Sequence, residues 1–399
     1  MILFNTLKQW EKKDIDITSA YFTSHLITYL GNKRSLLSFL KENIDKARHI
    51  LGKDRITSLD GFSGSGVVSR LLREYSTTLY TNDLEPYVKT INECYLSRLS
   101  EIDFSEISKQ IKILNRNKFN STVYSEGIIQ KFYAPKNDKN IQRGERVFYT
   151  INNAKIIDNI RQQIEKYSLK LKPYLLAPLL IEASIHVNTS GVFKGFYKNK
   201  KGIGQFGGEG KNALRRICQE IELEVPIFSD TPCEVKIYNE DINDLIKLLP
   251  HVDLAYYDPP YNQHPYGSNY FMLNVINDYK EPAIISKVSG IPVNWNRSAY
   301  NKRGNAEIAM ESLIKNTKAN IIFISYNNEG IIPALDFSKL LKQFGTVELA
   351  FKEYNTFRAS RNLRFRPLKT KEYLWILHKG MFYKNEVHLQ ESLQKAQIL

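Results

Sequence analysis

The chain has 399 residues, 42% of them hydrophobic and 25% charged, which is globular composition and excludes bulk disorder. Lys plus Arg number 56 against 42 Asp plus Glu, a formal charge of +14 that points to a polyanionic partner or an anionic membrane surface. The three cysteines, Cys94, Cys218 and Cys233, are dispersed and form no CxxC pair, so a structural zinc site and a disulfide framework are not supported and a reducing cytoplasm is the expected compartment.

The amino terminus turns charged too soon for a signal-peptide core. Ser35 to Leu51 carries Leu36, Leu37, Phe39, Leu40 and Ile44 near helical spacing and predicts a helix. Arg55 to Asp60 reads as a short strand ending in an acid, Gly61-Phe-Ser-Gly-Ser-Gly66 as a turn, and Val67 to Tyr75 as a helix. Thr78 to Asp83 is a second strand ending in an acid, and Pro86 to Leu99 a second helix. Strand, Gly-rich turn, helix, strand is the opening of a doubly wound parallel sheet.

From 120 to 215 the alternation weakens and Asn, Lys, Tyr and Gly dominate. Pro173 to Val187 is the most apolar long stretch, but Pro178, Glu182 and His186 make it too polar, and its length too short, to span a bilayer. Asn188 to Gly210 holds seven of the twenty glycines, with Lys194, Lys198, Lys200 and Lys201 among aromatics. Alternation returns with strands at Cys233 to Tyr238, Val252 to Tyr257 and Ala319 to Ser325, then a terminal hairpin of Thr346 to Tyr354 and Glu372 to His378. This pattern predicts a discontinuous α/β domain over 1–115 and 230–399, with an inserted region over 116–229.

Two motifs carry chemistry. Asp60-Gly-Phe-Ser-Gly-Ser-Gly66 lets a ligand lie against backbone, and Asp83 at the next strand end can accept from ribose hydroxyls. The turn lacks a terminal Gly-Lys-Ser/Thr, so it suits a nucleoside cofactor without phosphates better than a triphosphate. Asp258-Pro-Pro-Tyr261 follows a strand; its two prolines remove two backbone donors and fix φ, giving a rigid projection where open α/β sheets place their sites. Asp258 with a backbone carbonyl can hold an amine, and Tyr261 offers a π-face.

The FxGxG turn followed by DPPY resembles the S-adenosylmethionine-dependent amino methyltransferases that act on DNA adenine. That resemblance implies a Rossmann-like methyltransferase sheet with a terminal antiparallel hairpin. It implies a methyl transfer from S-adenosylmethionine to N6 of a flipped adenine in duplex DNA, outside the stack. Asp258 and the Pro259 carbonyl would hold N6, Pro260 would stiffen the segment and Tyr261 would stack on the base. The cofactor would contact Tyr29 and Lys33 of Tyr29-Leu-Gly-Asn-Lys33, then Asp60, Phe62, Gly64, Gly66, Asp83, Asp241 and Asp258, with Glu240 and Asp244 competing for the place given to Asp241.

The order of motifs resembles the alpha group, to which the GATC-specific Dam methylase belongs, and in that group the insertion reads the target. Phe323 to Asn327 resembles the strand after DPPY, and Thr356 to Leu374 the final hairpin. No metal is implied, and His264 reads as a solvated loop residue. Arg358, Arg361, Arg364 and Arg366, with Lys369 and Lys371, lie in fourteen residues without an acid, a pattern suited to phosphate contact. Lys194 to Lys201, with Lys211, Arg215 and Arg216, would add groove or phosphate contacts.

The expectation is therefore a cytoplasmic modification enzyme, alone or with a separately encoded restriction endonuclease. Methylation of RNA adenine, of cytosine N4 or of a protein glutamine amide are alternatives of the same chemistry. Ser and Asn respectively are commoner first residues of the four-residue motif in the latter two. A non-catalytic nucleic-acid-binding protein is the alternative of another class.

Overall fold

The computed structural model describes residues 15–399 except 25, 28, 30, 120–125, 264, 328–329, 356–368, 383–385, 397 and 399. Among the described residues one sheet has seven strands: β1 Ile56–Asp60, β2 Ser76–Asn82, β3 Glu234–Tyr238, β4 Val252–Tyr257, β5 Ala319–Asn327, β6 Gly345–Asn355 and β7 Lys369–Lys379. Their order is β3-β2-β1-β4-β5-β7-β6. The first five run parallel; β7 is antiparallel to both β5 and β6. Every residue of β4 is buried, as expected of a parallel strand covered on both faces.

The helices used below are α1 Leu37–Leu51, α2 Val67–Tyr75, α3 Pro86–Tyr95, α4 Ile151–Ile164, α5 Lys172–Ile185, α6 Phe271–Asp278, α7 Asn305–Asn316 and α8 Ala334–Lys342. The expected helix from Ser35 is preceded by a 3-10 turn over Lys33–Leu36, which Asn32 caps by accepting from the Arg34 N–H. Pro86 opens α3, where its missing N–H costs nothing. That helix stops at Tyr95, four residues earlier than the pattern suggested.

Two cores flank the sheet. On one side Tyr87 and Ile91 of α3, Ile157 of α4, Leu176 and Leu180 of α5 and Met272 of α6 pack together with Leu254 and Phe323. On the other, Met310, Leu313, Phe337 and Leu341 from α7 and α8 pack on Leu59, Ala255, Ile322 and Trp375. Each fully buried Leu or Ile contributes about 1.5–3 kcal/mol of transfer free energy. Residues from 129 to 185 thus share the core that covers the sheet.

Why α4 escaped its pattern is plain. Asn153, Asp158, Asn159, Arg161 and Gln163 are buried along with its isoleucines, so its polar residues do not mark a solvent face. Asp158 accepts from the N–H groups of Ile129 and Gln130 at 3.0 and 2.8 Å, and Arg161 donates to the Ile276 and Asn277 carbonyls, each at 2.8 Å. No helix of the described residues is long and apolar enough to cross a membrane.

The topology sets the site. β2, β1 and β4 are neighbours, and each ends at or one residue before an acid: Asp83, Asp60 and Asp258. The chain's winding reverses between β1 and β4, so a crevice opens at the carboxyl edge between them.

Candidate active site

A cleft open to solvent, with about 900 Å³ of empty space, occupies that crevice. Of the residues singled out by sequence, Tyr29, Lys33, Phe62, Gly64, Asp83, Asp241, Asp258 and Pro260 line it. Glu240 lines it beside Asp241. Asp60 is fully buried at the end of β1, and its carboxylate accepts from Ser69 Oγ of α2 at 2.6 Å, tying the turn's two flanks together.

The glycine turn is shaped by its own backbone. Gly64 and Gly66 have φ of +50° and +76°, a left-handed conformation that other residues adopt only with strain. The Gly64 N–H donates to Asp83 Oδ2 at 2.9 Å, and the Glu85 N–H to Asp83 Oδ1 at 2.9 Å. Asp83 therefore braces the turn as well as facing the cleft. A Cβ on Gly64 would lie 3.1 Å from Tyr29 Cε1. Tyr29 cannot yield easily, because its ring stacks on Tyr266 and Tyr270 with centroids 4.9 and 4.5 Å away.

Asp258 is the other pole. Lys33 Nζ lies 3.1 Å from Asp258 Oδ1 and 2.7 Å from Glu372 Oε1. Tyr261 follows the rigid Pro-Pro step; its carbonyl accepts from the Ile331 N–H at 2.9 Å, and its ring meets Tyr326 edge-on. The Lys33 ammonium lies 5.9 Å from the centre of the Tyr261 ring. Phe62, on the far wall, packs edge-on against Tyr300 and Tyr257. Asp241 caps the short helix Ile242–Leu245, accepting from the Asn243 N–H at 2.9 Å.

The cleft's acids are hard to ionise. Burial pushes the Asp258 carboxyl up to about 6, with Lys33 opposing that and Glu372 adding to it. Burial likewise raises Asp83 to about 6, against the N–H groups it accepts from. Asp60 rises to about 7, first through burial and then through the nearby Asp258 and Asp83. Burial also disfavours the Lys33 ammonium, but Asp258 and Glu372 outweigh it and hold its pKa well above the ordinary lysine value.

Several residues here were not anticipated. Glu85 lines the cleft, accepts from Asn274 Nδ2 at 2.5 Å, and is raised to about 7 by burial and by Asp83. Its only sequence signal was its place two residues after Asp83. Tyr266, Asn296 and Tyr300 also line the cleft, and Glu372 of β7 pairs with the Lys33 that lines it. Among the described residues, no group of three or more His, Cys, Asp or Glu could hold a metal ion.

The proposed DNA contacts divide. Lys194, Lys198, Lys200 and Lys201 are exposed on a folded loop pinned by Asn188, which donates to the Val147 carbonyl at 2.8 Å and accepts from the Gly207 N–H at 3.0 Å. Arg216 instead serves the loop, donating to the carbonyls of Ile185, Val187 and Thr189. Arg358, Arg361, Arg364 and Arg366, like His264, lie outside the described residues. Lys371 turns to the Ala396 carbonyl at 3.3 Å. A second basic stretch gave no motif to notice: 282–303 holds Lys287, Arg297, Lys302 and Arg303, all exposed, and no acid. Within it Ile285 and Pro292 pair as a small hairpin that exposes Ile284, Val288 and Val293.

Comparison with known proteins gives the family. The family described as D12 class N6 adenine-specific DNA methyltransferase matches residues 29–331, a span containing Tyr29, the glycine turn and Asp258 to Tyr261. The chain is 31% identical over 363 residues to the Type II methyltransferase M.NlaIII of Neisseria lactamica, covering 88% of this chain and 99% of that protein. It is 30% identical over 340 residues to the Type II methyltransferase M.CviAII of Paramecium bursaria Chlorella virus 1, covering 84% and 93%. Modification methylase StsI of Streptococcus sanguinis is 28% identical over 391 residues, and 93% of this chain matches 54% of that protein.

Proposed function

The chain belongs to the D12 class of N6 adenine-specific DNA methyltransferases, and from that premise we propose how its cleft performs the transfer. It is a DNA adenine methyltransferase of restriction-modification. We assign S-adenosylmethionine as the methyl donor. The fit rests on the glycine turn, whose left-handed Gly64 lines the cleft beside Tyr29, and on the acids Asp83, Glu85, Glu240, Asp241 and Asp258 facing that cleft. Such acids suit a ligand carrying cationic groups and a ribose diol. When bound, this donor supplies an electrophilic methyl group.

The chain's own residues then do three things. Tyr29, Phe62, Gly64, Asp83 and Asp241, with Asp60 and Gly66 shaping the turn, orient the donor. Asp258 Oδ and the Pro259 carbonyl accept from the exocyclic amine, whose nitrogen otherwise shares its lone pair with the ring. Pro259 and Pro260 hold those acceptors rigid, and Tyr261 supplies a face for the extruded base. Acceptors favour the tetrahedral nitrogen that carries its lone pair toward the methyl, and fixed positioning supplies much of the remaining acceleration.

The single observation carrying this reading is that Asp258 and the glycine turn share one cleft at the β1/β4 reversal. Its test is Asp258→Ala, which should abolish methyl transfer while S-adenosylmethionine binding survives. Wild-type turnover in that variant overturns the site assignment.

The motif order supports an alpha-group arrangement like that of Dam. We assign target reading to the region over 116–229, with Lys194, Lys198, Lys200 and Lys201 on phosphates. We give a similar phosphate role to Arg358, Arg361, Arg364 and Arg366, and add the exposed cations of 282–303. A cognate restriction endonuclease, separately encoded, is the expected companion, and the cytoplasm the expected compartment.

A further inference from the structure

Glu372 belongs to neither motif, yet it is among the most buried charged residues of the chain, 1% exposed. It lies on β7, opposite Asn327 of β5. Its Oε1 accepts from Ser325 Oγ at 2.6 Å and faces Lys33 Nζ at 2.7 Å. Lys33 is 4% exposed and reaches Asp258 Oδ1 at 3.1 Å with the same ammonium. One lysine from the 3-10 turn thus bridges two buried carboxylates, one following β4 and one on β7.

The charge count matters because of what happens at the amine. Its nitrogen gains positive charge as it takes the methyl group. Lys33 and Asp258 alone would form a neutral pair, presenting that nitrogen with a cation as near as the anion. With Glu372 the trio carries a net negative charge. Ser325 fixes the carboxylate that holds the ammonium. Resting on the adenine-N6 reading above, we propose that Glu372 is a positioning residue that anchors Lys33 and offsets its charge, so that the trio presents a net negative charge to the reacting amine.

The groups that bear on Asp258 from the elements around it are Lys33, Glu372, Asp60, Tyr256 and Tyr266, with Tyr261 beside Lys33. Tyr256 and Tyr266 are held well above the ordinary tyrosine value, chiefly by burial, and stay neutral through the working range. Glu372 pushes the Asp258 carboxyl up and Lys33 pulls it down. At saturating S-adenosylmethionine the acid limb of activity is then the ionisation of Asp258, and the two neighbours move it in opposite directions.

The experiment is single-turnover methylation of long unmethylated duplex DNA across pH, for wild type, Glu372→Gln, Lys33→Met and the double variant. Thermal unfolding and S-adenosylmethionine binding of each are measured alongside. In Glu372→Gln the rate at pH 8 should fall about tenfold or more, as when a charge-placing group is removed, and the acid limb should move to lower pH. In Lys33→Met the limb should move to higher pH. The double variant, with the net charge of the trio restored, should be faster than Glu372→Gln. An unmoved acid limb in Glu372→Gln, or a double variant no faster than it, leaves Glu372 a structural staple and overturns the proposal. Absence of N6-methyladenine from the wild-type reaction would instead overturn the reading on which the proposal rests.

Discussion

Gly64→Ala is the substitution whose cost the structure predicts in most detail. At φ +50° a Cβ meets the following carbonyl, at about 1–2 kcal/mol. That Cβ would also stand 3.1 Å from Tyr29 Cε1, and the Tyr29 ring is packed against both Tyr266 and Tyr270. Overpacking of this kind adds about 1–3 kcal/mol. The total is about 2–5 kcal/mol, which must surface in one of two ways. If the turn keeps its shape, the protein loses that stability. If the turn relaxes, the Gly64 N–H leaves Asp83 and donor affinity falls, by about 30-fold at the lower bound.

Gly52 supplies an internal control. It too is left-handed, at φ +64°, where it ends α1, but nothing lies within 4 Å of its Cβ position. Gly52→Ala should cost only the backbone penalty, about 1–2 kcal/mol, and leave donor binding untouched. Denaturant unfolding and calorimetric titration with S-adenosylmethionine read both quantities. If Gly64→Ala matches Gly52→Ala in stability and binds the donor as the wild type does, the Tyr29 contact does not set the cost.

Other outcomes follow from charge. Donor binding should strengthen from pH 6 to pH 8 and release protons, because cationic groups favour the ionised forms of Asp83 and Glu85, which burial holds near 6 to 7. Titrations in buffers of different ionisation heat measure that release, and pH-independent affinity speaks against the acid-lined site. The unliganded protein runs the other way. Folded pKa values raised above the ordinary 3.8 and 4.5 contribute stability that is full below those values and lost as pH rises through 6 to 7. Its melting temperature should therefore fall from this source between pH 5 and 8. Neutralising Lys198, Lys200 and Lys201 together should weaken DNA binding and flatten its dependence on salt, by about one unit of slope for each phosphate no longer neutralised. The same holds for Arg297, Lys302 and Arg303. An unchanged slope in either set returns those side chains to solvent.

What could be read from sequence was local. Asp60 to Gly66 and Asp258 to Tyr261 each combine a strand end with a turn whose backbone needs are written in closely spaced glycines or prolines. The strand and helix bounds there follow closely, with β4 and α2 at their expected limits. What could not be read was long-range. Glu372 is 339 positions from Lys33 and belongs with it only because β7 is inserted beside β5. Glu85 was hidden by its neighbour, since Asp83 already satisfied the expectation of one acid after β2. The helices over 151–185 were obscured for opposite reasons. The first buries polar groups in hydrogen bonds and the second is apolar on all sides, so neither shows the one-faced pattern of a surface helix.

Transfer of labelled methyl from S-adenosylmethionine to unmethylated duplex DNA, followed by digestion to nucleosides, tests the central claim most directly. The account predicts label in N6-methyladenine with the wild type and none with Asp258→Ala. Label in N4-methylcytosine, or label appearing only in RNA or protein, would contradict it.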